Sequence, residues 1–527
     1  MNLVNHQIII IIISILTLIK IIRDSLFYVW LWQVKEYRVD RMKSYLKENK
    51  STSIKNIDYL FTLFLILIVF LKPVILIYLV LLFFAYSFYQ IIKEVKGRTL
   101  KRPKLTLKIL LIFSIMIIFY LLFFAIYWIP VFMGMTRPLV LILLLLFFYL
   151  FTPFLITLIV LFINPFFNFQ KKRIIKRATN KMRALKKIKV IGITGSYGKT
   201  STKEFLDTIL SQKYKVVKTE GNNNTNIGVA YTVLNKVSDD YDYFICEMGA
   251  YKIGEINEMC EIVKPEIGIL TGINEQHLEL FGSIENTRKA KFELIKSLPE
   301  NGMAVINSSI KYLVLSIKAE NIKHFSLSDV SGIEVYQDYI EFDYKSCKFK
   351  INFLGKHYIE NVLSVIIVAE YLGMNLEEIK SAIEKIKASK FMMRKLDGLN
   401  NSVFIDDSYS ANPDGVIAAL DYLDEAYQDY QKIIVFPGII ELGNRSEKVH
   451  RKLFYKIGKV CDIAYILNQS AKRLHSPNGT MKPTNECKFV FEKDFDKVAS
   501  MLRKDLDKNT VVLFESRGAG VVMGKIL

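Results

Sequence analysis

Cysteine is scarce in this chain of 527 residues. The five that occur (Cys246, Cys260, Cys347, Cys461, Cys487) all follow Phe167 and form no CxxC pair. That spacing excludes a disulfide framework and a thiolate metal site, and it fits reduced thiols in a cytosolic domain. A signal-peptide cleavage pattern is missing too. Apolar residues 8–13 run on to Ile22 and resume over 26–32, so no removable leader is expected. Acidic residues are outnumbered, 51 against 71 Lys and Arg, for a net charge of +20. The densest basic run, 171–189, abuts an apolar stretch. Attraction to anionic membrane lipid accounts for it, and no nucleic acid partner is expected. No serine or cysteine nucleophile is set up in a triad, so acyl-enzyme chemistry is not indicated.

Apolar sequence is abundant, and it is unevenly placed. The averages of 51% hydrophobic and 13% aromatic residues blend two different chains. Up to about Phe167, Ile, Leu and Phe dominate; beyond it charge, Gly and Asn return at globular frequency. The apolar stretches are about 4–32, 59–92, 109–128 and 139–167. A membrane span needs about 20 apolar residues. The second stretch is long for one span and is broken at Lys72-Pro73. Loops 35–55, 93–108 and 171–189 are rich in Lys and Arg, whereas connection 130–138 carries only Arg137. Basic loops stay on the cytoplasmic side. If all three do, the second stretch turns back at Lys72-Pro73, giving five spans, with the N-terminus outside and the C-terminus inside. A single tilted helix there would give four. Lys20, Arg23 and Asp24 interrupt the first span. The expectation is a multi-pass transmembrane region over 1–168 in the cell membrane, a basic juxtamembrane linker over 169–187, and a cytoplasmic remainder.

In that remainder short β-rich runs alternate with helical ones, at 189–193, 243–246, 267–271 and 304–307. This is the pattern of an α/β sheet, whose ligands gather at the carboxyl ends of strands. The first such end is Gly192-Ile193-Thr194-Gly195-Ser196-Tyr197-Gly198-Lys199-Thr200-Ser201. Strand, glycine loop with Lys-Thr, then helix is how proteins cradle a nucleotide triphosphate. Backbone N–H groups and the helix N-terminus face the phosphates, lysine neutralises them, and a hydroxyl holds Mg²⁺. Gly195, Ser196, Gly198, Lys199, Thr200 and Ser201 are therefore ATP-binding candidates. The spacing departs from the strict phosphate-loop motif, with Ile193 where its first glycine would stand. Glu247 ends the run 243–246, just before Gly249, and offers a second oxygen anchor for Mg²⁺. Taken alone it is an ordinary strand end. His277, in the run 271–279, lies past a third strand end. Taken alone it is an ordinary surface histidine; beside the other two strand ends it reads as part of a site.

From about Lys187 to the C-terminus these motifs resemble, in order, the Mur ligases of bacterial cell-wall synthesis, above all the D-alanyl-D-alanine-adding branch. Gly192–Ser201 resembles the family's phosphate loop. Glu220-Gly221-Asn222-Asn223-Asn224-Thr225-Asn226-Ile227-Gly228 is similar to its Gly-Asn-rich segment. Residues 247–250 and 254–256 resemble its acidic strand end, 274–282 its histidine loop, and Ala290-Lys291-Phe292-Glu293 its Ala-Lys-x-Glu segment. Gly355-Lys356-His357-Tyr358-Ile359-Glu360-Asn361 resembles a signature near the adenine. Asp406-Asp407-Ser408-Tyr409-Ser410-Ala411-Asn412-Pro413-Asp414 is the most specific match, and Glu441-Leu442-Gly443 with His450 follows it.

The resemblance implies an α/β fold behind the α-helical transmembrane region. It implies a P-loop central ATP-binding domain over 188–388 and a Rossmann-like C-terminal domain over 389–527. The implied activity is ATP-dependent carbon–nitrogen ligation through an acyl phosphate. The implied cofactors are ATP and Mg²⁺. Lys199, Lys291 and His277 would be catalytic, and Lys291 would be the lysine that the family carbamylates. Thr200, Glu247, His277 and Lys291 would support metal; Asn361, Arg394 and Asp407 would approach the nucleotide. The partners would be a carboxylate-bearing cell-wall precursor, UDP-linked or lipid-linked, and an amino acid or dipeptide.

Three departures stand beside the resemblance. Membrane-like sequence occupies the place of the family's UDP-binding domain. Asn226 stands at a position that is often acidic. Leu513-Phe514-Glu515-Ser516-Arg517-Gly518 lacks the lysine of a Lys-Gly-Ser-Arg segment. The readings that stay open are a polyglutamate-type ligase, a membrane transporter with a regulatory nucleotide domain, and a non-catalytic scaffold that binds nucleotide.

Overall fold

The computed structural model describes residues 3–48, 54–68, 73–97, 99–132, 138–221, 223–310, 319–387, 392–409, 411–440, 442, 445–468 and 487–527. Lys72, Arg137, Asn222, Ser410, Glu441 and Gly443, singled out above, lie outside the described residues. The chain forms two compact units, up to Lys171 and from Lys172 onward.

The first unit is helical. Its apolar stretches form helices Leu3–Val34, Ile54–Ile68, Pro73–Lys96 and Leu107–Phe132, and a fifth helix, Pro138–Ala184, begins in it. The basic run 171–189 is thus helical as far as Ala184. Among the described residues three helical stretches are long and apolar enough to cross a membrane: Ile75–Lys96, Leu107–Ile129 and Leu139–Ala184. Ile54–Ile68, at 15 residues, is short for a span. The charges that interrupt Leu3–Val34 are paired, both within that helix and with other helices. Lys20 Nζ lies 2.7 Å from Asp58, Arg23 Nη1 lies 2.7 Å from Asp24, and Arg23 Nε donates to Glu94 at 2.9 Å. Ionic groups inside an apolar bundle persist when paired in this way. The opposite character appears on the outside, where Leu60, Leu82, Leu121, Ile126 and Phe162 are exposed, a surface suited to hydrocarbon.

The second unit contains two parallel sheets. The first is built from β1 (Lys189–Thr194), β2 (Val216–Lys218), β3 (Tyr243–Glu247), β4 (Ile267–Leu270), β5 (Met303–Asn307) and β6 (Asn321–Phe325), in spatial order β2-β3-β1-β4-β5-β6. The four β-rich runs expected from sequence are β1, β3, β4 and β5. Alternation sends Ile191, Ile193, Ile245, Ile269 and Val305 into one core, and Val190, Phe244, Cys246, Leu270 and Ala304 into the other. With both faces covered, these strands read as continuous apolar runs. A small antiparallel sheet follows: β7 (Ser331–Val335), β8 (Ile340–Tyr344) and β9 (Cys347–Ile351). The second parallel sheet comprises β10 (Arg394–Asp397), β11 (Val403–Asp407), β12 (Gln431–Phe436), β13 (Ile463–Ile466), β14 (Lys488–Phe491) and β15 (Thr510–Glu515). Its order is β10-β11-β15-β12-β13-β14, with β10 as the antiparallel edge. All five cysteines are free.

Strand order positions the site. β1 lies between β3 and β4, which follow it in sequence, while β2 lies outside β3. The chain direction across the sheet therefore reverses at β1, and a crevice opens there beyond the carboxyl ends of the strands. The phosphate-loop motif, Glu247 and the segment leading to His277 leave the sheet from these three adjacent strands.

Candidate functional site

The loop between β1 and helix Lys199–Leu210 is shaped by its glycines. Gly195 and Gly198 have φ of 155° and 76°, a region that favours glycine. A Cβ on Gly195 would lie 2.0 Å from Thr271 Oγ1, and one on Gly198 would lie 2.4 Å from Asn361 Oδ1. Glycine is therefore required at both positions by close packing against Thr271 and Asn361. Helix Lys199–Leu210 takes Lys199 and Thr200 into its first turn. Lys199 Nζ donates to the carbonyls of Gly195 (2.7 Å) and Ser196 (3.2 Å). Burial lowers the Lys199 pKa, and Glu247 opposes that shift. Ser196 Oγ is buried without a hydrogen-bond partner.

Glu247, 1% exposed at the end of β3, is surrounded by donors. Thr200 Oγ1 lies 3.1 Å from each carboxylate oxygen, and Asn224 Nδ2 donates at 2.9 Å. The fully buried Lys203 ammonium lies 3.2 Å from Oε2. Hydroxyl and carboxylate oxygens held side by side suit a hard divalent cation that keeps most of its water and phosphate ligands. Among the described residues no three His, Cys, Asp or Glu side chains converge as a preformed metal cage.

His277 and Lys291 share a small adjoining pocket of about 60 Å³ with Ser196, Lys199, Asn224 and Tyr251. His277 has φ of 58° and packs edge-on against Tyr251, ring centroids 4.9 Å apart. Lys291 is 3% exposed, and its Nζ lies 5.7 Å from the centre of the Phe281 ring. Burial pushes the Lys291 pKa well down, and the neighbouring Lys199 pushes the same way.

A larger cleft of about 440 Å³ joins this point to the second parallel sheet. Its walls include Ser196–Ser201, His357 and Asn361 from the first sheet's side, and Asp407, Tyr409 and Asn412 from the other. His357, deep in the cleft, is lowered to about 4 by burial. Contacts between the sides include Asn274 Nδ2 donating to Asn412 Oδ1 (2.8 Å) and Asp414 Oδ2 (3.0 Å), and Lys356 paired with Glu425 at 2.8 Å. Burial raises Asp407, and the adjacent Asp406 charge raises it further.

Gly195, Ser196, Gly198, Lys199, Thr200, Ser201, Asn361 and Asp407 thus come together around the two pockets with Glu247, His277 and Lys291. Arg394 does not join them. It is the register partner of Asp406 across β10 and β11, and its guanidinium lies 2.5 Å from that carboxylate. Lys203, Asn224, Tyr251 and Asn274 are site residues to which the sequence pattern assigns no role of their own. A lysine one turn into a helix reads as a surface residue, and the Gly-Asn-rich signal did not single out Asn224.

A phosphate loop at the switch point of a parallel sheet, faced by a second Rossmann-like sheet across a cleft, defines a two-domain nucleotide-dependent enzyme class. Residues 193–369 match the Mur ligase middle domain, and residues 393–518 match the Mur ligase glutamate ligase domain. The UDP-N-acetylmuramoyl-tripeptide–D-alanyl-D-alanine ligase of Rickettsia prowazekii is 32% identical over 343 residues, 62% of this chain and 74% of that protein. The Escherichia coli K12 enzyme of the same name is 32% identical over 275 residues, 50% of this chain and 60% of that one. The crystal structure of MurF from Acinetobacter baumannii superposes with a TM-score of 0.61 at 24% identity, covering 68% of this chain and 80% of that one. MurF from Thermotoga maritima in complex with ADP gives 0.58 at 26%, covering 68% and 83%. The chain belongs to the Mur ligase family of ATP-dependent amide ligases. It spans from three-fifths to three-quarters of the length of these two curated relatives.

Proposed function

We propose that the chain is a membrane-anchored ligase that joins D-alanyl-D-alanine, or a similar amine, to the carboxylate of a cell-wall peptide precursor at the cytoplasmic face. The observation that carries this reading is the continuity of the two pockets. Lys199 and Ser196 line both, so a triphosphate held in the large cleft would end beside Lys291 and His277.

On this reading the loop amides and Lys199 bind the β- and γ-phosphates. The acceptor carboxylate attacks the γ-phosphorus, the bond to the β–γ bridging oxygen breaks, and ADP leaves. An amine then attacks the acyl phosphate carbon, and phosphate leaves as the amide forms. Lys199 would neutralise charge moving onto ADP. Thr200 and Glu247 would hold Mg²⁺, with His277 and a carbamate on Lys291 as further support; the ion supplies charge neutralisation at the phosphates. A carbamate forms when a neutral amine adds to CO₂ and loses a proton, and it turns a cation into an anion. Asn361 would lie at the adenine and Asp407 near the nucleoside, whereas the Asp406 pairing argues against a direct nucleotide role for Arg394. The Asn274 contacts would help exclude water from the closed cleft.

The apolar helices that precede the matched domains favour an acceptor presented at the membrane, with anionic lipid at the basic segment 171–189. ADP release should be measured with D-alanyl-D-alanine and either a UDP-linked or a lipid-linked muramoyl tripeptide. Stimulation by the lipid-linked acceptor is expected; stimulation by the UDP-linked form alone would sink the lipid reading. Absence of an amide product with either acceptor would sink the cell-wall assignment.

A further inference from the structure

The carboxyl ends of β11 and β15 bring two acids side by side. Asp407 and Glu515 are register partners in adjacent parallel strands, so their side chains leave the sheet on the same face. Glu515 is 1% exposed, and its Oε2 has no hydrogen-bond partner. Asp407 lines the large cleft. Of the surrounding cations, Arg394 on β10 pairs with Asp406 through Nη2 and leaves its Nε without a hydrogen-bond partner, and Arg517 in helix Ser516–Ile526 reaches the Tyr409 carbonyl at 3.4 Å. Tyr358, from helix His357–Tyr371, also faces the pair, and its hydroxyl accepts the Met393 N–H at 3.2 Å. Helix Pro413–Ala426 adds Asp414 to the cleft wall. A buried carboxyl and a half-buried one on adjacent strands, without a cation between them, disfavour double ionisation and are stable sharing one proton. Glu515 also falls in the segment where the family's lysine is missing.

We propose that Glu515 is a positioning residue for Asp407: it keeps the shared proton and donates it to Asp407, which turns a carboxylate oxygen toward the hydrogen-bond donors of the bound nucleoside. This rests on the reading of the large cleft as the ATP site. A nucleoside's donors are its sugar hydroxyls and its base amino group, and both bind an ionised carboxyl better than a protonated one. Burial raises both acids; the Asp406 charge raises Asp407 further, the Asp407 charge raises Glu515 further, and the hydrogen bond from Glu515 draws Asp407 part of the way back down. As pH falls toward 6 a second proton enters the pair, and Asp407 ceases to be a full acceptor. Glu515→Gln keeps a donor of the same shape and removes the competing acid, so Asp407 stays ionised.

The test is calorimetric titration of ADP into the full chain in detergent at pH 6, 7 and 8. Wild-type affinity should fall at least threefold from pH 8 to pH 6. Glu515→Gln should lose most of that dependence and bind ADP more tightly than wild type at pH 6. Glu515→Asp, which keeps an acid, should retain the dependence. Ionisation of ADP itself affects all three proteins alike. The same pH dependence in wild type and Glu515→Gln would overturn the proposal. Failure of every one of these proteins to bind ADP would instead overturn the nucleotide reading beneath it.

Discussion

Lys199, Lys203 and Lys291 show how one residue type is given three tasks by its surroundings. Lys203 is fully buried and ion-paired with Glu247, so its charge is matched on the spot. Lys199 donates to carbonyls of its own loop, at the mouth of the cleft. Lys291 has an aromatic ring and a like charge for neighbours, and its amine sheds its proton well below the ordinary lysine range. Removing the Lys199 ammonium takes away a charge aimed at the leaving phosphate. We expect Lys199→Ala to lower the rate of amide formation by on the order of 10²–10³-fold, with the circular dichroism spectrum unchanged. Full activity in that variant would contradict the ligase assignment. The neutral amine is the form that adds CO₂, and the lowered Lys291 pKa enriches that form. Stripping CO₂ from the buffers should therefore depress the initial rate, with recovery on adding bicarbonate. A rate indifferent to CO₂ would leave Lys291 as a plain buried amine.

The turn into helix Lys199–Leu210 depends on Gly198, whose φ of 76° and close approach to Asn361 leave no room for a methyl group. Asn274, in the segment after β4, ties that segment to the N-cap residue of helix Pro413–Ala426. Each such hydrogen bond contributes about 0.5–1.5 kcal/mol. Asn274→Ala should raise KM for ATP by roughly tenfold, the equivalent of about 1.4 kcal/mol, with a smaller change in kcat. Equal losses in ATP affinity and thermal stability would mark the contact as structural only. In the helical unit, Lys20 and Asp58 hold Leu3–Val34 to Ile54–Ile68. Removing one partner from a buried pair costs about 3–5 kcal/mol, whereas replacing both can be nearly neutral. Lys20→Met should therefore lower the melting temperature in detergent more than the Lys20→Met, Asp58→Leu double variant does.

At the scale of the whole molecule, the chain combines a unit with many exposed apolar side chains and a unit whose two parallel sheets bury apolar residues on both faces. Alkaline carbonate strips peripheral proteins from membranes and leaves spanning ones behind. The full chain should stay in the pellet after such a wash; release into the supernatant would remove the membrane anchor from the proposed function. Apolar runs made the helices long enough to cross a membrane legible in the sequence. The number of spans was less so, because hydropathy cannot show that Lys20, Arg23 and Asp24 find partners on other helices.

The sequence by itself determined the class of chemistry. Glycine at positions of positive φ, Lys-Thr at a helix start, and apolar runs ending in Glu247 or leading to His277 are local signals, written in adjacent residues by backbone sterics and strand burial. The order of those motifs sufficed to identify the family. Tertiary structure alone decided which residues meet. The switch in strand order at β1 joins three strand ends into one crevice. The closure through Asn274 brings Asp407 to a cleft more than 200 residues away in sequence from the phosphate loop. Register across β10, β11 and β15 assigns Arg394 to Asp406 and Glu515 to Asp407. Such pairings depend on which strands become neighbours, and burial then sets the charge each side chain carries. No local pattern encodes either.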